Sequence, residues 1–372
     1  MDQTPNEDLQ PVDTRVGPAF DQLPPAFEPQ NSKPSSSGIF FGRFGMRAGW
    51  GIAIFIVFWA IFTFMSSFLA LGATGQIGKF MDARAQHQAH PGTHSTVHLE
   101  IVPGFVMVSD GVQFLGMLAL CWFFSRAERR RFGVYGIGKN RWKDVIPGAF
   151  WGVATMSALV AVLHATHVLV FDSRALYGSA AIVYGLKWLL AFALVGFAEE
   201  YAFRGYIQFA LTRGLWGLAE KMSPTNPRPF AFWMAAVGFS ALFLFAHTGN
   251  SGETHFGLIA VFLAGLLFSY ALWRTGSLWW GIGFHATWDW AQSFLFGVAD
   301  SGGVSPGRLY NTHPTGNPLL SGGTTGPEGS VFVIGAILIA VIAIRFTRPG
   351  TQPEIEQGSL GKALPHETAV AS

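Results

Sequence analysis

The sequence predicts an all-α fold: a polytopic helical membrane protein with about eight transmembrane helices. Three observations carry this. Half of the 372 residues are hydrophobic. Only 12% are charged, against about 25% in an ordinary soluble domain. The apolar residues also gather into runs that approach the roughly 20 residues a spanning helix requires.

In order, the runs are Trp50 to Gly72, Gly104 to Phe124, Ile146 to Val170, Ala181 to Leu211, Phe230 to His247, Phe256 to Trp273, Leu278 to Gly297 and Val331 to Phe346. The second contains Asp110, which reads as a capping or loop residue where that run is interrupted. His164 and His167, near the end of the third, read as locally hydrogen-bonded packing residues. The 35 Phe and 13 Trp suit lipid contact and interface anchoring. A single cysteine, Cys121, excludes an intrachain disulfide.

Basic residues collect on the cytoplasmic side of helical membrane proteins. With the N-terminus inside, that side carries Arg43 and Arg47, the group Arg126, Arg129, Arg130, Arg131, Lys139, Arg141 and Lys143, then Arg213, Lys221, Arg228, Arg274, Arg345 and Arg348. The opposite side keeps Lys79, Arg84, Arg174, Lys187 and Arg308. The asymmetry predicts an integral protein of the cell membrane with both termini cytoplasmic. A net charge of +2 then needs no nucleic-acid partner.

Three parts follow: a polar tail over 1–38, a transmembrane domain over 39–348 and a second tail over 349–372. Neither tail holds enough apolar surface to offset its chain entropy. The acidic, polar opening residues give no expectation of a cleavable secretory signal. The loop from Ala73 to Pro103 contains His87, His90, His94 and His98, but Pro91 breaks the helix that would align them, so it reads as a solvated loop, with metal capture as the alternative. The stretch from Ala299 to Ser330 is rich in Gly, Pro, Ser and Thr and reads as an irregular connection without chemistry.

Inside the fourth run stand Glu199-Glu200-Tyr201-Ala202-Phe203-Arg204. An ionisable side chain at membrane depth costs about 2.5–3.5 kcal/mol and marks function by default. Residues four apart share a helix face, so Glu200 can pair with Arg204, whereas Glu199, rotated by about 100°, is left over. Glu199 lies about 20 Å from the end of that helix and is expected to be buried. A carboxylate withdrawn from water is a candidate general base. His247 closes the fifth run, and His285 and Asp289, four apart, share a face in the seventh. These groups from three spans could hold and activate one water and stabilise an oxyanion. Burying all six for packing alone would be expensive.

In chain order, Glu199-Glu200-x-x-x-Arg204-Gly205, Phe243-x-x-x-His247, Arg274-Thr275-Gly276-Ser277-Leu278-Trp279 and His285-x-x-x-Asp289 resemble the motifs of the CPBP family. That family joins CAAX prenyl proteases of the Rce1 type with bacteriocin-processing and immunity-associated (Abi) membrane proteins. The similarity covers a core from 181 to 297. It implies an intramembrane endopeptidase in which Glu199 and His247 activate water. His285 and Asp289 would form an oxyanion hole or a substrate-facing polar pair, and Glu200 with Arg204 would support the base. The family usually carries Asn at the position of Asp289. An ionised carboxylate cannot donate a hydrogen bond, so Asp289 is either protonated or orients His285 or a metal.

The implied partners are the bilayer and a membrane-anchored protein or peptide, prenylated CAAX substrates among them. The absence of a His-Glu-x-x-His helix favours metal-independent chemistry. Zinc on Glu199, His247, His285 and Asp289 is the alternative. Hydrolysis is expected near the cytoplasmic half of the bilayer, although straight helices would put His247 about 25 Å and His285 about 12 Å from that side. Two rivals stand: a proton-coupled transporter, which would be expected to show internal repeats, and a catalytically silent immunity or scaffold protein of the same fold. Gly238-Phe239-Ser240-Ala241 lacks the final glycine of a rhomboid serine motif, and no Gly-x-Gly-Asp surrounds Asp110 or Asp289.

Overall fold

A computed structural model describes residues 38–42, 45–89, 100–128, 130–249, 252 and 254–347. The expected tails, apart from Gly38, lie outside the described residues, as do His90, His94 and His98. The helices are α1 (Ala48–Ala73), α2 (Ile77–Ala89), α3 (Pro103–Ala127), α4 (Val145–Ala165), α5 (Gly178–Glu200), α6 (Gln208–Gly214), α7 (Trp216–Met222), α8 (Pro227–His247), α9 (His255–Thr275), α10 (Trp279–Trp290), α11 (Pro318–Ser321) and α12 (Val333–Thr347). Strands are few. β1 (Phe41–Gly42) pairs with β2 (Gly45–Met46), and β3 (Leu169–Arg174) pairs antiparallel with β4 (Tyr310–Pro314).

The chain is an all-α polytopic membrane protein. Six helical stretches are long and apolar enough to cross a bilayer: Ala48–Ala73, Pro103–Ala127, Phe132–Ala165, Gly178–Gly214, Pro227–His247 and His255–Thr275. The other two expected spans appear as shorter helices, α10 with a π-helical continuation over Ala291–Leu295, and α12. Large apolar side chains such as Phe64, Leu115, Phe123, Leu186 and Phe245 point outward. Lipid tails are as apolar as these residues, so leaving them outside costs nothing.

Two expectations are corrected. Asp110 neither caps a helix nor sits in a loop, because α3 runs through it without a break. The stretch from Ala299 to Ser330 is not a loose connection. It supplies β4 and α11 and buries Ser305, Ser321, Thr325 and Ser330. The histidines of the third span do pack locally: His164 Nδ1–H donates to the Leu169 carbonyl at 3.1 Å, and the His167 carbonyl accepts from Thr315 Oγ1 at 2.8 Å.

The two ends of the bundle differ. At one, Glu128 after α3 accepts from Arg130 Nε at 2.6 Å and from Arg213 Nη1 of α6 at 2.8 Å, while its other oxygen accepts from the Met46 amide before α1 at 3.2 Å. The Leu278 amide and Trp279 Nε1, at the start of α10, donate to the carbonyls of Gly136 and Gly138 before α4. We call this the basic end. At the other, β3 follows α4 and pairs with β4 from the connection between α10 and α12.

The closest backbone approach lies between α4 and α10. A Cβ added to Gly148 would stand 2.1 Å from the Trp280 carbonyl oxygen, one on Gly152 2.4 Å from that of Phe284, and one on Gly283 2.2 Å from that of Val145. Small residues four apart let membrane helices touch where apolar burial supplies no drive. Gly148→Val forces the backbones apart, and we expect a loss of about 1–3 kcal/mol, read as a lower melting temperature in detergent. An unchanged melting temperature would show that this contact is not needed for packing.

Candidate active site

Just past the acidic pair the helix widens into a π turn over Tyr201–Ile207 before resuming as α6. Turns of this kind recur at functional sites. Within it, Arg204 Nη1 donates to Glu200 Oε1 at 2.8 Å, with the two side chains 0% and 1% exposed. The guanidinium carbon also sits 4.7 Å from the ring of Phe243, 4.8 Å from Phe239 and 5.0 Å from Phe268. Aromatic faces stabilise a desolvated cation. The pair and its rings form a closed layer.

His285 ties that layer to open space. Its Nδ1–H donates to the same Glu200 Oε1 at 3.1 Å. Its Nε2 stands 3.5 Å from Asp289 Oδ2 and 3.9 Å from Glu199 Oε2. His247, the last residue of α8, donates from Nδ1 to the Phe243 carbonyl at 2.8 Å. In the neutral ring that bond leaves Nε2 as an acceptor.

Two cavities meet at these groups. One, of about 270 Å³, is bounded by Glu199, His247, His285 and Asp289 and otherwise mainly by apolar side chains of α5, α8, α9, α10 and α12. The second, of about 310 Å³, lies toward α1 and α3 and is lined by Trp59, Asp110, Gln113, Glu199 and His247. Glu199, His247 and Ser301 border both. The expectation of a buried Glu199 is therefore corrected: its side chain is 33% exposed, into the cavities, and Glu200 is the enclosed carboxylate.

Of the six residues singled out from the sequence, four share one cavity and two lie in the closed layer beside it. Sequence reasoning missed Asp110, Asp300, Ser301 and Glu328. Glu328 accepts from Gln292 Nε2 at 2.9 Å and from the Ser301 amide at 2.6 Å, and Asp300 accepts from Ser293 Oγ at 3.0 Å. Asp300 lies outside the spanning helices. Burial pushes its carboxyl up to about 6, with the charge of Glu199 adding and the Ser293 hydrogen bond opposing. A signal was present: Asp300 and Glu328 are the two acids in an otherwise uncharged or basic stretch.

Residues 181–291 match the family model described as type II CAAX prenyl endopeptidase Rce1-like. This segment is Rce1-like. It covers under a third of the 372 residues, yet it contains Glu199, Glu200, Arg204, His247, His285 and Asp289. Asp110, Asp300, Ser301 and Glu328 fall outside the Rce1-like part. No curated protein and no solved structure matches the chain. Among the described residues, no three His, Cys, Asp or Glu side chains are grouped as metal ligands.

Proposed function

We propose that this chain is an intramembrane endopeptidase that hydrolyses a peptide bond of a membrane-anchored protein or peptide, with Glu199 and His247 activating the water. The observation that carries the reading is the division of labour between neighbouring acids. Glu200 is committed to Arg204 and His285, while Glu199 opens into both cavities opposite His247. A base must be within reach of the proton it takes, and Glu199 is the carboxylate with space for water and substrate.

In this mechanism the Glu199 carboxylate takes one proton from a water held against His247 Nε2, and the oxygen adds to the peptide carbonyl. His285, anchored through Nδ1 on Glu200, turns Nε2 toward the oxyanion. Collapse of the adduct breaks the C–N bond, and Glu199 returns its proton to the leaving amine. Asp289 sets the His285 ring. The mainly apolar cavity suits a substrate bearing a large apolar group, prenylated CAAX-type chains included. No step runs through a metal.

The test is cleavage of membrane-anchored peptides, with and without a prenyl group, by purified protein in detergent or vesicles. Activity that survives a chelator supports the metal-independent reading, and its loss with recovery on added zinc would replace it. Uptake of a solute without cleavage would favour the transporter, and neither activity would favour the silent scaffold. Asp289→Asn is expected to keep activity within a few-fold, because an amide holds His285 by the same geometry. A loss as large as that of Asp289→Ala would show that the charge itself is required.

A further inference from the structure

The walls of the site are not drawn evenly from the two ends of the bundle. His247 is the final residue of α8, Val333 the first of α12, and Ala260 and Val261 belong to the first turns of α9. Asp110, on the second cavity, is seven residues into α3, about 10 Å from its start. All of these starts and ends lie away from the basic end, where α3 finishes and α10 begins. The connection between α10 and α12 adds Asp300, Ser301 and Glu328.

Toward the basic end the site is shut. Arg204, one turn beyond Glu200 on the way to Arg213, has a 0% exposed side chain packed among Phe239, Phe243 and Phe268. Water reaching Glu199 along that path would have to cross a desolvated ion pair and three rings.

We propose that the site is served from the membrane face opposite the basic end, so that the peptide bond it takes lies in an extracytoplasmic, membrane-adjacent segment of the substrate. This rests on the peptidase reading and on the cytoplasmic placement of the basic residues. It reverses the cytoplasmic-half location expected from the sequence, because the connection over 299–330 is a wall of the site.

Cys121 is the sole cysteine and is buried, so single-cysteine reporters are easily made in a Cys121→Ala background. In intact cells, Ser301→Cys is expected to react with a membrane-impermeant maleimide and to lose cleavage of a reporter helix once modified. Asn140→Cys, exposed between α3 and α4, should react only after permeabilisation. Labelling of Asn140→Cys in intact cells, or of Ser301→Cys only after permeabilisation, would overturn the proposal. Should Ser301→Cys fail to fold, Ser173→Cys on β3, also exposed, reports the same face. Labelling is scored independently of activity: the expected pattern in a protein that cleaves nothing would sink the peptidase reading while leaving the sidedness intact.

Discussion

Glu199→Gln is expected to lower turnover by about a hundred- to ten-thousand-fold, the usual worth of a positioned general base, with substrate binding nearly unchanged. The amide keeps the shape of the carboxylate and its position between the two cavities but has no lone pair basic enough to take a proton from water. The effect should therefore fall on kcat and leave KM within a few-fold. Melting temperature should also hold, since the side chain is 33% exposed and supports no packing layer. Measuring turnover on a membrane-anchored peptide beside the parent decides the point, and parental activity in the variant would remove Glu199 as the base.

Arg204→Ala should instead act on the fold. It leaves Glu200 with a 1% exposed carboxylate and without its cation, and it empties the space between Phe239, Phe243 and Phe268. Removing one member of a buried ion pair costs about 3–5 kcal/mol because the other charge remains desolvated. The double variant Arg204→Met with Glu200→Leu separates charge from shape. It is expected to recover much of the melting temperature while activity stays low, since His285 Nδ1 loses its acceptor. Equal melting temperatures for Arg204→Ala and the parent would show that the closed layer is not needed for stability.

Much of this was legible in the residues. Apolar runs of spanning length fixed the helices to within a few positions, because the bilayer imposes a length and a composition on each. The pairing of Glu200 with Arg204 followed from the four-residue face of a helix. The environment of Glu199 did not, because exposure into an internal cavity depends on which helices stop short beside it. Asp110 was misread for a related reason: an acid in an apolar run looks like an interruption until the opposing helices are seen to leave it a chamber. Asp300 and Glu328 were hidden in a segment whose composition reports backbone freedom and says nothing of where the segment folds.

The π turn at Tyr201–Ile207 has a consequence for the rest of its helix. An unbroken α-helix has one rotational phase, so aiming a residue at one neighbour settles the aim of every later residue. The wider turn resets that phase. Upstream, the helix directs Glu199 into the cavities; downstream, it is free to direct Gln208 at Ser269 and Arg213 at Glu128. A single membrane rod thereby meets two unrelated steric demands, one set by chemistry and one by anchorage.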